Sequence, residues 1–105
     1  MLQISASTIA EIAILARDER RGEAQLRAFV ERLSEEKQAA LVAVFWIGRG
    51  SYDAEDLEEA QETALSEATT PTADYLLGSP HLADHLESGM EALGLDPSEE
   101  EEALY

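Results

Sequence analysis

Two histidines, His81 and His85, stand four residues apart with Asp84 between them. On a helix that spacing brings both imidazoles to one face, as a zinc ion bound from a helix requires. A zinc site also needs a third protein ligand, and a structural one a fourth. The chain has no cysteine, and no Glu-x-x-His partner accompanies the pair, so the expectation is no metal site and no cofactor. Glu55, Glu59 and Glu62 share one face of another helical stretch. Paired carboxylates can do acid–base work, but an acidic helix is far more often a solvated face. Arg49, set between Gly48 and Gly50, reads in two ways. As a functional group it is an exposed donor for a carboxylate or phosphate. As part of a helix–helix corner it is incidental, with Tyr52 a hydrophobic staple, Asp53 a cap and neighbouring acids neutralising much of the arginine's charge.

Three further chemistries are excluded. Asp53-Ala54-Glu55-Asp56 opens like a calcium loop, but Glu58 stands where that loop needs glycine and Ala64 where it needs a bidentate glutamate. Gly-Arg-Gly is not a phosphate loop, because no Gly-x-x-x-x-Gly-Lys-Ser/Thr is present. No serine lies in a nucleophile-elbow context and there is no cysteine nucleophile. The pattern leans away from an enzyme.

The elements that must position these residues read as helices throughout. Proline and glycine fall between segments of 3.6-residue apolar periodicity, and no run alternates with period two. A first helix is expected from Ile9 to Arg20, opened by a Thr8/Glu11 capping box and closed by Gly22, with Ile9, Ile12, Ala13 and Ala16 inward. A second runs from Glu23 to Leu33 on Leu26, Phe29, Val30 and Leu33. The third starts at the N-cap Ser34, is apolar on all sides from Leu41 to Ile47, and ends at Gly48 and Gly50; such a helix is normally central. The fourth spans Asp53 to Ala68, with Leu57, Ala60, Ala64 and Leu65 inward. A short fifth helix begins with Thr70 as cap and Pro71 in the first turn and runs to Leu77. Ser79-Pro80 repeats that signal for a sixth, which carries Leu82, Leu86, Met90 and Leu93 to a stop at Gly94. The fold class is all-α: a compact bundle of five or six short helices around a central hydrophobic helix. A single domain is expected over residues 1–94, followed by an acidic, mobile tail over 95–105 that includes four consecutive glutamates.

Composition bounds the partners. At 105 residues and 45% hydrophobic content, one globular core is feasible. The net charge is −16, and its distribution is lopsided. All seven Lys and Arg lie between Arg17 and Arg49, where seven acidic residues in the first 50 positions balance them; the remaining sixteen acids lie beyond, with no basic residue among them. Such a half repels nucleic acid and anionic lipid and attracts basic surfaces. Met1-Leu2-Gln3-Ile4 lacks the basic start of a secretory signal, and the longest apolar run, Ala39 to Ile47, falls short of a membrane span. With no cysteine, a cytoplasmic location is the expectation.

One resemblance emerges from the motifs. Trp46-Ile47-Gly48-Arg49-Gly50, Tyr52-Asp53-Ala54-Glu55-Asp56, Thr72-Ala73-Asp74-Tyr75-Leu76-Leu77-Gly78-Ser79-Pro80, Leu82-Ala83-Asp84 and Leu86-Glu87-Ser88-Gly89 together resemble an uncharacterised bacterial family, catalogued as domain of unknown function 3775. The resemblance runs from Leu33 to Gly94. It implies a small, helical, acidic protein and carries no activity, ligand or partner. His81 and His85 are not part of that pattern.

The sequence thus reads as a small acidic, non-enzymatic protein-interaction module. Its candidate surface is Arg49, Tyr52, Glu55, Glu59 and Glu62, and its partner a basic protein surface or a second copy of the chain, with no nucleic acid and no membrane. Two alternatives stay open: an acidic nucleic-acid mimic that occupies a DNA- or RNA-binding protein, and a metal-dependent protein using the histidine pair.

The charge pattern has a consequence for stability. Sixteen carboxylates without a cation in the second half crowd one another more when folded than in the extended chain. Like-charge crowding disfavours ionisation and raises folded carboxylate pKa values on average. The native state then binds more protons than the unfolded one, so stability rises as pH falls toward those values. The expected outcome is a higher thermal midpoint at about pH 5 than at neutral pH, with moderate salt recovering part of the gap at neutral pH. A midpoint that is higher at neutral pH and indifferent to salt shows the acids to be compensated already.

Overall fold

A computed structural model describes residues 4–18, 22–67 and 70–95. Among them are six α-helices and no strand: α1 Ala6–Arg17, α2 Gly22–Glu31, α3 Glu35–Arg49, α4 Leu57–Ser66, α5 Thr72–Leu77 and α6 Leu82–Ala92, with a one-turn 3₁₀ helix, Ala54–Asp56, leading into α4. The acidic tail expected beyond Gly94 falls almost wholly outside the described residues. Leu95 lies within them, packs against the core and donates its N–H to the Met90 carbonyl at 2.9 Å.

Helix α3 is the axis. Every residue from Ala39 to Ile47 is buried except Trp46, which is half-buried. It packs most extensively on α6, then on α4 and α5; α1 and α2 close the far side by packing on α6, on α5 and on each other. The amide of Gln38 also ties α2 to α3, donating to the Val30 and Leu33 carbonyls at 3.0 Å each. The inward faces expected of α1, α2 and α6 all contribute to one core, through Ile9, Ile12, Ala13, Leu26, Val30, Leu82, Leu86 and Met90.

Ser34 and Gly50 bound α3 as expected; Gly48 does not. Ser34 caps its start, accepting from the Lys37 N–H at 3.2 Å, and Gly50 ends it in the left-handed region at φ 89°. Gly48, however, does not terminate the helix; it is where α6 crosses. A Cβ on Gly48 would overlap the His85 carbonyl oxygen, and one on Gly89 would overlap the Val44 carbonyl oxygen. Two glycines on facing helices let the backbones approach to a distance that no side chain allows.

Other boundaries shift for local reasons. Helix α1 starts one turn before the Thr8/Glu11 box: Ser5 is the cap, taking the Thr8 N–H at 3.2 Å, and the extra turn buries Ala6. Gly22 opens α2 rather than merely breaking α1, since a Cβ there would overlap the Leu15 carbonyl oxygen. Asp53 precedes the 3₁₀ turn, and its side chain makes no capping bond. Leu65 faces outward, 45% exposed, because Ala60 and Ala64 form the contact stripe of α4. Pro71 occupies the cap position itself, with Thr72 the first helical residue. At α6 the cap position belongs to His81, whose backbone is left-handed at φ 58°; the helix thus starts two residues later than Ser79-Pro80 suggests.

The α3–α6 crossing makes a stability prediction. Gly89→Ala should lower unfolding free energy by about 2–4 kcal/mol, because the added methyl meets backbone and cannot be accommodated by a rotamer change. Phe45→Ala, which empties a site only 1% exposed, should cost about 3–5 kcal/mol. Urea denaturation followed by circular dichroism measures both. A Gly89→Ala protein as stable as the parent rules out the close crossing.

Candidate functional site

Phe45 forms the floor of a cluster where α3, α5 and α6 meet. The Tyr75 ring lies edge-on to it at 6.1 Å between centroids and the His85 ring at 5.5 Å, each close to perpendicular. Arg49, one helical turn beyond Phe45, lays its guanidinium over the same ring, 5.1 Å from the centroid. Trp46 is the next residue round the helix. It stacks on Tyr52 at 5.6 Å and 22°, and donates its indole N–H to the Tyr75 hydroxyl oxygen at 2.9 Å. Tyr52 can return to α3 because Gly50 reverses the chain; the Ser51 N–H closes the turn on the Trp46 carbonyl at 2.9 Å.

Arg49 is fixed at three points. Besides lying over Phe45, it donates from Nε to the Ser51 Oγ at 3.0 Å and from Nη1 to the Tyr75 Oη at 3.4 Å. No carboxylate lies within ion-pair distance of it among the described residues. The expected pairing with neighbouring acids is therefore absent among the described residues: the side chain reaches from α3 to Phe45, Ser51 and Tyr75.

The other arginines are used differently. Arg17 on α1 bridges to Asp84 at 3.2 Å and Glu87 at 2.5 Å on α6, and Arg27 on α2 pairs with Asp74 on α5. Both guanidinium pKa values are pushed above their ordinary value, Arg17 chiefly by the hydrogen bond to Glu87 and Arg27 by that to Asp74. All these groups are exposed, so each bridge contributes modestly and fades with salt. The first half thus neutralises acids on α5 and α6. It leaves Glu55, just before α4, and Glu59 and Glu62 within it exposed and unpaired among the described residues.

Of the five residues read from the sequence as a surface, Arg49 and Tyr52 share the aromatic cluster, linked through Trp46, Tyr75 and Ser51. The three glutamates form a separate acidic face. The histidines meet, but not as a helical pair: His81 stands before α6, and its ring is 6.5 Å from that of His85 at 89°. Its Nδ1 is 4.0 Å from Asp84 Oδ2. Among the described residues no group of three His, Cys, Asp or Glu is placed to share an ion.

Tyr75 organises the site, yet local reasoning does not single it out. It sits in a six-residue helix between Asp74 and Leu76, where an aromatic residue signals burial only. Its inclusion in the Thr72–Pro80 motif of the resembled family is the one signal that marks it.

The family model for the protein of unknown function DUF3775 matches residues 23–95. The chain belongs to this family. The match takes in α2 to α6 and the whole Phe45–Trp46–Arg49–Tyr75 cluster, and leaves α1 outside. No curated protein and no solved structure gives a significant match.

Tyr75→Phe isolates the central hydrogen bond, since it keeps the ring on Phe45 and removes the acceptor for Trp46. The variant should lose about 1 kcal/mol of stability and shift the emission of Trp46, the single tryptophan. Unchanged emission together with unchanged stability would mean that the indole N–H does not use Tyr75.

Proposed function

We infer that this protein is a non-enzymatic interaction module whose acidic second half engages a basic surface of another protein. One observation carries this reading: Arg17 and Arg27 are spent on acids of α5 and α6, while the carboxylates Glu55, Glu59 and Glu62 stay exposed and unpaired among the described residues. A row of unneutralised charge raises the local concentration of cationic partners and speeds their encounter. It is also costly to keep in isolation, because self-repulsion opposes the compact state. A basic partner offsets that cost, and binding and folding then reinforce each other. Among the described residues no helix is long and apolar enough to cross a membrane, and the acidic face disfavours anionic lipid and nucleic acid alike.

The test is binding of a lysine-rich decapeptide, followed by fluorescence anisotropy at two salt concentrations. The parent should bind, and affinity should fall steeply as salt rises. Glu55→Gln, Glu59→Gln and Glu62→Gln combined should weaken binding by about tenfold or more and flatten the salt dependence. Asp74→Asn, which removes an acid already paired with Arg27, should have little effect. Equal losses from both proteins would show that net charge alone governs binding and that the face has no special part in it.

A further inference from the structure

The hydrogen-bonding capacity around Arg49 is unbalanced. The Tyr75 hydroxyl oxygen accepts from Trp46 at 2.9 Å and from Arg49 Nη1 at 3.4 Å, which occupies both of its lone pairs. Its own proton must therefore be donated elsewhere, and no acceptor for it lies within hydrogen-bond distance among the described residues. Arg49 uses Nε on Ser51 and one N–H of Nη1 on Tyr75; the remaining N–H groups of Nη1 and Nη2 make no hydrogen bond among the described residues, on a side chain that is exposed. Arg49 and Tyr75 thus bring uncommitted donors to one place.

We propose that Arg49 and Tyr75 form a receptor for a carboxylate group. Nη1 and Oη are 3.4 Å apart, close enough for a single acceptor oxygen to bond to both at ordinary hydrogen-bond lengths. The outer edge of the guanidinium then takes the second oxygen, in the paired geometry that planar carboxylates favour. The receptor is preorganised. Phe45 supports the guanidinium from below and Ser51 holds its Nε, so little side-chain freedom is left to lose on binding. Next to it lies a shallow groove of about 220 Å³, lined by Trp46, Tyr75, Val42 and Thr72, with room for the apolar part of a carboxylic acid. Glu67 lines the same groove, and the chain as a whole carries −16. Both oppose a phosphate dianion about twice as heavily as a carboxylate monoanion. The inference goes beyond the acidic-face reading and does not rest on it.

The experiment is a nuclear magnetic resonance titration of the full chain with sodium acetate, read at the side-chain N–H signals of Arg49 and Trp46, with sodium chloride at matched ionic strength as control. N-acetylglycine, which presents a peptide-like terminal carboxylate, and inorganic phosphate are run in parallel. Saturable shifts with a roughly millimolar dissociation constant are expected for both carboxylates. Tighter binding of N-acetylglycine assigns the ligand to a peptide terminus, and equal binding assigns it to a free acid. Arg49→Gln should abolish saturation, and Tyr75→Phe should weaken it by about tenfold. The proposal is overturned if acetate produces only the drift seen with chloride, if Arg49→Gln binds as the parent does, or if phosphate binds more tightly than either carboxylate. A null result here leaves decapeptide binding by the glutamate face unaffected, so the two readings fail separately.

Discussion

The crossing of α3 and α6 at Gly48 and Gly89 is the contact on which the remaining geometry depends. Glycine inside a helix costs about 1 kcal/mol relative to alanine in an isolated helix, and this fold carries one in each of its two most extensively packed helices. The compensation is close backbone approach, with Val44 filling the space over Gly89 and the His85 segment lying against Gly48. At that separation the His85 ring reaches Phe45, and the last turn of α3 emerges beside α5, where Tyr75 meets both Phe45 and Trp46. A bulkier residue at either glycine would move the helices apart and separate these partners, although none of them touches the glycines through its own ring.

Much of this was legible in the sequence, and what was not has identifiable causes. The continuous apolar run of α3 could only be a buried axis, and Ser34, Gly50 and Gly94 carry capping chemistry that does not depend on distant residues. Gly48 differs from its expected role because a helix-ending glycine and a helix-crossing glycine look the same in one dimension. The difference lies in the segment across from it, more than thirty residues further on. The Thr8/Glu11 spacing points to a cap at Thr8, whereas Ser5 caps α1 one turn earlier and Ala6 is buried in the added turn. Leu65 obeyed helical spacing but lost its place inside because α4 approaches α3 through alanines, which leaves no depth for a larger side chain.

The candidate site shows the same division. Arg49 and Tyr52 stood out because an arginine between glycines and an aromatic residue beside a cap are unusual locally. Their partner Tyr75 did not, because what distinguishes it is a hydroxyl aimed at residues 26 and 29 positions earlier in the chain. The expected neutralisation of Arg49 failed for a related reason. Composition supplies acids in abundance near it in sequence, but the place of Arg49 in α3, one turn beyond Phe45, decides which side of the helix the guanidinium faces, and composition is silent on that.

Charge in this protein is therefore organised at two scales that oppose each other. At long range the molecule is an anion, and its field draws cations and repels anions. Within a few ångströms of Arg49 the order is reversed, with uncommitted donors and no carboxylate in reach among the described residues. Salt acts on the two scales with opposite sign. Screening over a Debye length of about 8 Å at physiological ionic strength weakens attraction between the acidic face and a basic surface. The same screening removes the long-range repulsion that an approaching carboxylate must overcome, while the short hydrogen bonds at its destination are little affected. A partner that presents a carboxylate within a basic surface would satisfy both scales at once. The field would bring it in, and the fixed donors would set its register once it arrived, which charge attraction between flexible side chains cannot do.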